Sequence, residues 1–254
     1  MMRIDLNADV GESFGAYTIG HDRGLMASIS SANVAAGFHA GDPSVLRTTI
    51  RLARAHGVAV GAHPGFPDRA GFGRREMQVT PQEAEDLVLY QVAAVAGVAA
   101  SEGVRLQHVK PHGALFNQAV RDCELALAIA RAVAAVDRSL ILFGLPGSEI
   151  LSAGRSCGLR VAAEAFADRA YEPDGSLVSR KKAGAVLTDL DAVVARAIRM
   201  VRDKAVVAAD GSLLPLEADT ICVHSDTPGA DALAARLREG LEAAGITVMA
   251  IGTL

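Results

Sequence analysis

Short apolar runs alternate with helix-forming stretches along nearly all of the 254 residues, and this alternation limits the fold more than any other feature of the chain. Strand candidates lie at 3–9, 32–38, 58–62, 106–111, 139–144, 159–165, 220–224 and 246–251. The stretches between them carry helix start and stop signals. Asp42-Pro43 opens one helix that stops at His56-Gly57, since Asp caps, Pro suits the first turn and Gly ends it. Thr80-Pro81-Gln82-Glu83 has the form of a capping box ahead of a helix reaching about Gly103. Further helices are expected at 121–136, 147–157, 188–203 and 227–244. Strands separated by helices of this length imply βαβ units and parallel pairing. The length is ordinary for a single α/β barrel, and no repeat or Pro/Gly/Ser linker divides it, so one domain over 1–254 is expected. Half of the residues are hydrophobic, only 4% are aromatic and Trp is absent, so the core must be aliphatic.

The first strand has a polar stripe. Arg3, Asp5, Asn7 and Asp9 share one parity, while Ile4, Leu6, Ala8 and Val10 share the other. Successive side chains of a strand point to opposite faces, so one face is apolar and the other carries acids and an amide. Asp and Asn are poor strand formers, which argues against an idle solvated face. Other strands end in complementary groups: His39, His63 and His112 follow the second, third and fourth, and His224 ends the penultimate one. Ligands of parallel barrels gather at the carboxyl ends of the strands. His/carboxylate clusters bind divalent metals or supply acids and bases at neutral pH. His56, in a last helical turn, has a structural reading, His21 one at the surface or behind a site, and His108, which shares parity with Lys110 and His112, either lines the interior or is structural.

Lys110 is expected to face inward, where it either pairs with Asp5 or Asp9 or holds an anion. Glu164 stands near the end of the sixth strand as a candidate base. Arg69, Arg74, Arg75, Arg169 and Arg180 sit in two long polar loops, 68–77 and 168–183, which suits an anionic substrate. Asp226, two residues past His224, joins the substrate-binding candidates. The turn Gly144-Leu145-Pro146-Gly147-Ser148 offers a weak anion-binding signal. There is no Walker A sequence and no Gly-x-Ser-x-Gly elbow. Cys123, Cys157 and Cys222 are far apart without a CxxC, as in reduced and mostly buried thiols of a cytoplasmic protein. Cys222 is the best placed of them for a nucleophile. A net charge of −4, mixed along the chain, argues against nucleic-acid or membrane surfaces. No signal peptide or transmembrane run is visible.

Seven stretches, read together, resemble the LamB/YcsF lactam-utilisation family, and they do so in the family's order. They are Asp5-Leu6-Asn7-Ala8-Asp9-Val10-Gly11-Glu12, the run from Asn33 to Asp42, Gly61-Ala62-His63-Pro64-Gly65-Phe66-Pro67-Asp68, Gly71-Phe72-Gly73-Arg74-Arg75, Val109-Lys110-Pro111-His112-Gly113-Ala114-Leu115, Phe166-Ala167-Asp168-Arg169 and Cys222-Val223-His224-Ser225-Asp226-Thr227-Pro228. The likeness spans essentially the whole chain. It departs at Ala36, where the pattern has Cys, at Phe116, where Tyr is common, and at Ser225, where Gly is usual. Ala36 weakens any role for an essential cysteine nucleophile.

The resemblance implies an irregular (β/α) barrel of about seven parallel strands, like the glycoside hydrolase and deacetylase barrels. It implies ATP-dependent 5-oxoprolinase activity, with ATP and Mg2+ as cofactors and subunits B and C as partners. The substrate would be 5-oxo-L-proline, and homo-oligomerisation is left open. In this reading Asp5, Asp9, Lys110, His112 and Glu164 are catalytic. Asn7, His39, His63, Arg74, Arg169, Arg180, His224 and Asp226 bind substrate. No protein-held metal is assigned, and whether one is bound is left undecided; if present, Asp5, His39 and His63 would hold it. Two other readings remain open at this stage: a metal-dependent amide hydrolase acting alone, and a non-catalytic scaffold subunit.

Overall fold

The computed structural model describes residues 2–224, 226 and 229–253; Ser225, Thr227 and Pro228 of the last motif lie outside them. In chain order the elements are β1 (Met2–Val10), α1 (Asp22–Met26), β2 (Ser31–Ala35), α2 (Pro43–Ala55), β3 (Ala59–His63), α3 (Pro81–Ser101), β4 (Leu106–Val109), α4 (Gly113–Ala119), α5 (Cys123–Val136), β5 (Ile141–Gly144), α6 (Glu149–Ser156), β6 (Arg160–Phe166), α7 (Leu190–Arg202), β7 (Ala205–Val207), β8 (Leu213–Pro215), β9 (Thr220–Val223), α8 (Ala230–Ala243) and β10 (Ile246–Val248). The strands run β1-β2-β3-β4-β5-β6-β9, all parallel, and β9 pairs back onto β1. Seven strands therefore close a barrel with helices outside, as expected from the resemblance.

The eighth strand candidate is not a stave of this barrel. Among the described residues β10 pairs only with Met2–Ile4, whereas β9 takes Asp5–Ala8. At nine residues β1 is long enough to meet both. The two faces of β1 divide as the alternation predicts. Ile4, Leu6, Ala8 and Val10 join the aliphatic layer under the helices. Asp5, Asn7 and Asp9 are buried too, on the lumen side.

The helix signals act locally as read. The Asp42 carboxylate accepts from the Ser44 and Val45 amides. Thr80 and Glu83 form the full capping box of α3. α3 has 21 residues and is long and apolar enough to cross a membrane by length and composition alone. One face of it, including Val88, Val92 and Val95, is buried in the barrel's outer layer.

Other details differ from the sequence reading. The second strand stops at Ala35, and residues 36–41 form a loop with left-handed glycines at Gly37 and Gly41. The helix expected at 121–136 is preceded by a separate α4, because Asp122 caps a new start at Cys123. The first residues of the helix expected from 227 lie outside the described ones; α8 is described from Ala230, after a left-handed Gly229. The antiparallel pair β7–β8 was not foreseen. Its signal was Asp210-Gly211 between Val206-Val207 and Leu213-Leu214. The thiols are not mostly buried: Cys123 is exposed, Cys157 intermediate and Cys222 buried.

Candidate active site

The lumen is built in polar layers, because residues of one parity from neighbouring strands meet at one height. Asp5 pairs in register with Thr220, and Asn7 with Ser31 and Cys222. Asp9 pairs with Asn33, Asn33 with Gly61, and Gly61 with His108. At the lowest layer Asp5 accepts from Ser30 at 2.8 Å, Ser31 at 2.6 Å and Thr220 at 2.5 Å. Burial outweighs these bonds and raises Asp5 to about 6. Above it the Asn33 amide donates to Asn7 at 2.7 Å and to Asp9 at 2.9 Å, and His108 lies 2.8 Å from the Asn33 oxygen. His108 stacks on Phe143, and burial lowers it to about 3, which keeps it neutral. Its structural reading holds.

Lys110 is the centre of the next layer. Its Nζ lies 2.9 Å from Asp9 Oδ1, 2.9 Å from Glu164 Oε1 and 2.9 Å from Cys222 Sγ. Burial opposes its charge, but Asp9, Cys222 and Glu164 outweigh that and hold the amine well above its usual range. Burial also pushes Asp9 up, but its neighbours His63 and Lys110 reverse this and hold it well below the usual carboxylate value. Glu164, fully buried, is raised by burial against the pull of Lys110. The Cys222 thiol is raised well above its usual value, again by burial. A neutral Cys222 beside an ammonium donor is a poor nucleophile.

A cavity of about 940 Å³ opens above this layer. Asp9, Lys110, His63, His112 and His224 meet it from below, and Arg74, Arg169 and Arg180 from the two polar loops. Asp5, Asn7, Glu164 and His39 do not line it. The sequence reading thus placed Asp5 and Glu164 in direct catalysis, and Asn7 and His39 on the substrate, where the structure sets them below or behind the surface. The alternating stripe could show that these groups face inward, but not how deep each one sits.

The cations of the rim are not equivalent. Arg169 spends its guanidinium on the Ala185 and Val178 carbonyls of its own loop, at 3.2 and 2.6 Å. Burial, then the charge of Arg180, lowers it to about 10. Arg74 is held by Asp226 at 2.7 Å, and Asp226 itself does not line the cavity. Arg180 keeps a buried Nη2 without a partner. Arg75 lines the cavity but is paired to Asp68, and Arg69 reaches the Gly37 carbonyl over Phe14.

Four histidines split into two arrangements. His224 Nδ1 lies 3.1 Å from Asp168 Oδ2, and its ring stacks on Phe166. Burial raises Asp168, but His224, Arg180 and Arg169 win and hold it below the usual value. An ionised carboxylate on Nδ1 leaves Nε2 as the exchanging nitrogen. His39, His63 and His112 pack together instead, with His39 stacked on His112 at 3.8 Å. Gly65 and Gly73 leave the room, since a Cβ at either would come within 2.6 Å of His39. Burial drives His39 and His112 well below the ordinary imidazole value. Two groups have metal-like donor spacing among the described residues: Glu12, His39, His63 and His112, and Asp9, Cys222 and His224. The trio Asp5, His39 and His63 suggested from the sequence is not one of them, since Asp5 is tied to three hydroxyls in the lowest layer. Glu12, Asn33 and Asp168 were missed as functional candidates, although each lies inside a quoted motif.

The sequence pattern of the LamB/YcsF family matches residues 4–254. The chain belongs to the LamB/YcsF family. Curated relatives include the 5-oxoprolinase A subunit of Bordetella pertussis, 55% identical over 97% of this chain and 98% of its own length. The corresponding A subunit of Chloroflexus aggregans 5-oxoprolinase is 57% identical over 98% of both. Among solved structures, a lactam utilization protein from Thermus thermophilus superposes with a TM-score of 0.93. It is 51% identical, and the match covers 98% of this chain and 100% of that one. A T48 deacetylase shares the barrel at TM-score 0.51 and 14% identity, over 99% of this LamB/YcsF chain and 89% of its own. That likeness is one of fold.

Proposed function

We propose that this LamB/YcsF chain is the lactam-handling subunit of an ATP-dependent 5-oxoprolinase, opening 5-oxo-L-proline to L-glutamate with subunits B and C. The names of the relatives at 55% and 57% identity support the substrate and the multi-subunit setting. The observation that carries the site is the buried Lys110, paired to Asp9 and Glu164 at the floor of an open, arginine-rimmed cavity.

A lactam is a stabilised amide, and water attacks it slowly. Transfer of the ATP γ-phosphoryl group, with Mg2+, to the lactam oxygen would make the carbon electrophilic. Water then adds to that carbon, the ring C–N bond breaks as the nitrogen takes a proton, and a second water hydrolyses the resulting acyl phosphate to the carboxylate and free phosphate. Lys110 and Arg74 are placed to offset negative charge developing at the oxygen. Arg180, with its unpartnered nitrogen, suits the substrate carboxylate or a phosphoryl oxygen. Asp9 accepts from water, and His224, oriented by Asp168, takes the proton from water and returns it to the ring nitrogen. The proton carrier in this scheme is His224 and not His112, because both ring nitrogens of His112 already have neighbours at 2.8 and 2.9 Å. A purely scaffolding role gives no reason to bury Lys110, Asp9 and Glu164 under an open cavity, where ionised groups are costly.

The test is ATP-dependent glutamate formation from 5-oxoproline by this chain with its partner subunits. Lys110→Gln keeps a hydrogen-bonding group but no charge. It is expected to lower turnover by about 10²–10³-fold, the range for losing one preorganised charge-stabilising donor. Wild-type turnover in a folded Lys110→Gln chain would remove the assignment.

A further inference from the structure

We propose that Glu12, His39, His63 and His112 form a binding site for one divalent transition-metal ion with zinc-like coordination. The assignment is independent of the substrate proposed above.

His63 Nδ1 lies 2.7 Å from the Lys110 carbonyl, and His112 Nε2 lies 2.8 Å from the Phe72 carbonyl. A carbonyl oxygen can only accept, so each of these nitrogens carries a proton and donates it. In two neutral rings, His63 Nε2 and His112 Nδ1 are then both bare. They face each other at 2.9 Å in a buried pocket. Asp9 Oδ1, which accepts from Lys110 Nζ at 2.9 Å, lies 3.4 Å from the same His63 nitrogen. Two lone pairs and a carboxylate oxygen turned towards one point need a positive centre between them.

That centre could be a shared proton or a metal ion. Three features favour the ion. First, metal-ligating histidines usually donate their other N–H to a carbonyl or carboxylate, which fixes the tautomer and the ring orientation. Both His63 and His112 do so here. Second, His39 is fully buried and neither of its ring nitrogens has a partner. A shared proton between His63 and His112 leaves His39 unexplained, whereas an ion gives it a bond. Third, one donor atom from each of Glu12, His39, His63 and His112 lies within 4.8 Å of the others. Three imidazoles and a carboxylate suit zinc and its neighbours rather than calcium or magnesium, which prefer oxygen. Metal–nitrogen bonds of about 2.0–2.1 Å in a tetrahedron separate the nitrogens by about 3.3 Å, so His63 and His112 part by roughly 0.4 Å on binding. His63 and His112 also line the cavity, which gives an ion an entry path.

The experiment uses the full chain, stripped with chelator and titrated with Co2+ and then Zn2+. One Co2+ per chain is expected, with the visible d–d absorption of a four-coordinate site, displaced by Zn2+. His63→Ala and His112→Ala should each weaken Zn2+ binding at least tenfold, while Cys123→Ser and His21→Ala, at exposed positions that could bind ions adventitiously, leave it unchanged. Zn2+ should raise the Tm of the wild type and not of the histidine variants. If a variant fails to fold, the wild type still decides the matter: the Co2+ form should show hyperfine-shifted ring N–H protons from His63 and His112. The proposal is overturned if the stripped wild type takes up no stoichiometric ion. Unchanged affinity in both histidine variants overturns it, and so does an imidazolium signal at His63 or His112 that persists with Zn2+ present.

Discussion

At the scale of single residues, the lumen shows how one side-chain type takes different roles according to depth. Asp5 and Asp9 stand four residues apart on one strand. Asp9 meets Lys110 and stays ionised, whereas Asp5 meets only neutral hydroxyls and is raised to about 6. The second case has a consequence for stability. An acid whose folded value exceeds its unfolded value of 3.8 carries no penalty below that pH. Stability is then lost as the pH rises through about 6. The shift corresponds to about 3 kcal/mol once the group is ionised. Asp5→Asn removes that penalty, at a cost of about 1 kcal/mol for the Thr220 hydroxyl proton left without its acceptor. The variant should therefore be more stable than the wild type by about 2 kcal/mol at pH 8, and less stable by about 1 kcal/mol at pH 3, where Asp5 carries no penalty. Urea unfolding at the two pH values checks this, and equal stability at pH 8 would rule it out.

Secondary-structure elements were legible wherever the signal was local. The capping box of α3, the Asp cap and Pro start of α2 and the apolar face of β1 were all read from consecutive residues. Misreadings came where tertiary contacts decide. The second strand stops at Ala35 because residues 36–41 turn to place His39 in the histidine cluster, and the apolar run gives no sign of that turn. Gly61 illustrates a contact invisible in the sequence. A Cβ there would lie 2.1 Å from His108 Nε2, and that ring is held by Asn33 and Phe143. Gly61→Ala should cost about 1–3 kcal/mol through overpacking. The same change in a His108→Ala background should cost much less, since the clash is gone. Chemical denaturation of the four proteins of this cycle measures it; equal costs in both backgrounds would mean that the clash is not the cause.

For the molecule as a whole, closure matters most. β1 pairs with β2, β9 and β10 together, so residues 2–10 hold the start of the barrel to its last stave and to the end of the chain. Apolar residues of all seven barrel strands and of the surrounding helices belong to one core cluster, beside a small second one of Ile141, Phe143, Ala162 and Ile251. The chain should therefore unfold in one cooperative step as a single domain. Tyr171, fully buried, reports on the loop over the cavity, and far-UV circular dichroism reports on the helices. Their urea transitions should coincide; a separate Tyr171 transition would show that the loop region of 167–189 unfolds independently.

The sequence by itself determined the parallel α/β class, the inward polar stripe of Asp5, Asn7 and Asp9, and the set of histidines and lysine at the strand ends. These follow from periodicity and capping, which act over a few residues. It also supplied the family, through seven motifs. Only the tertiary structure decided that Asp9, Glu164 and Cys222 all reach the Lys110 amine, that Asp5 is held by three hydroxyls instead, and that His63 Nε2 and His112 Nδ1 face each other at 2.9 Å. Those facts depend on register between strands far apart in the chain. A period of two tells which face a residue takes, but the height at which it meets its neighbours is set by the tilt and closure of the barrel.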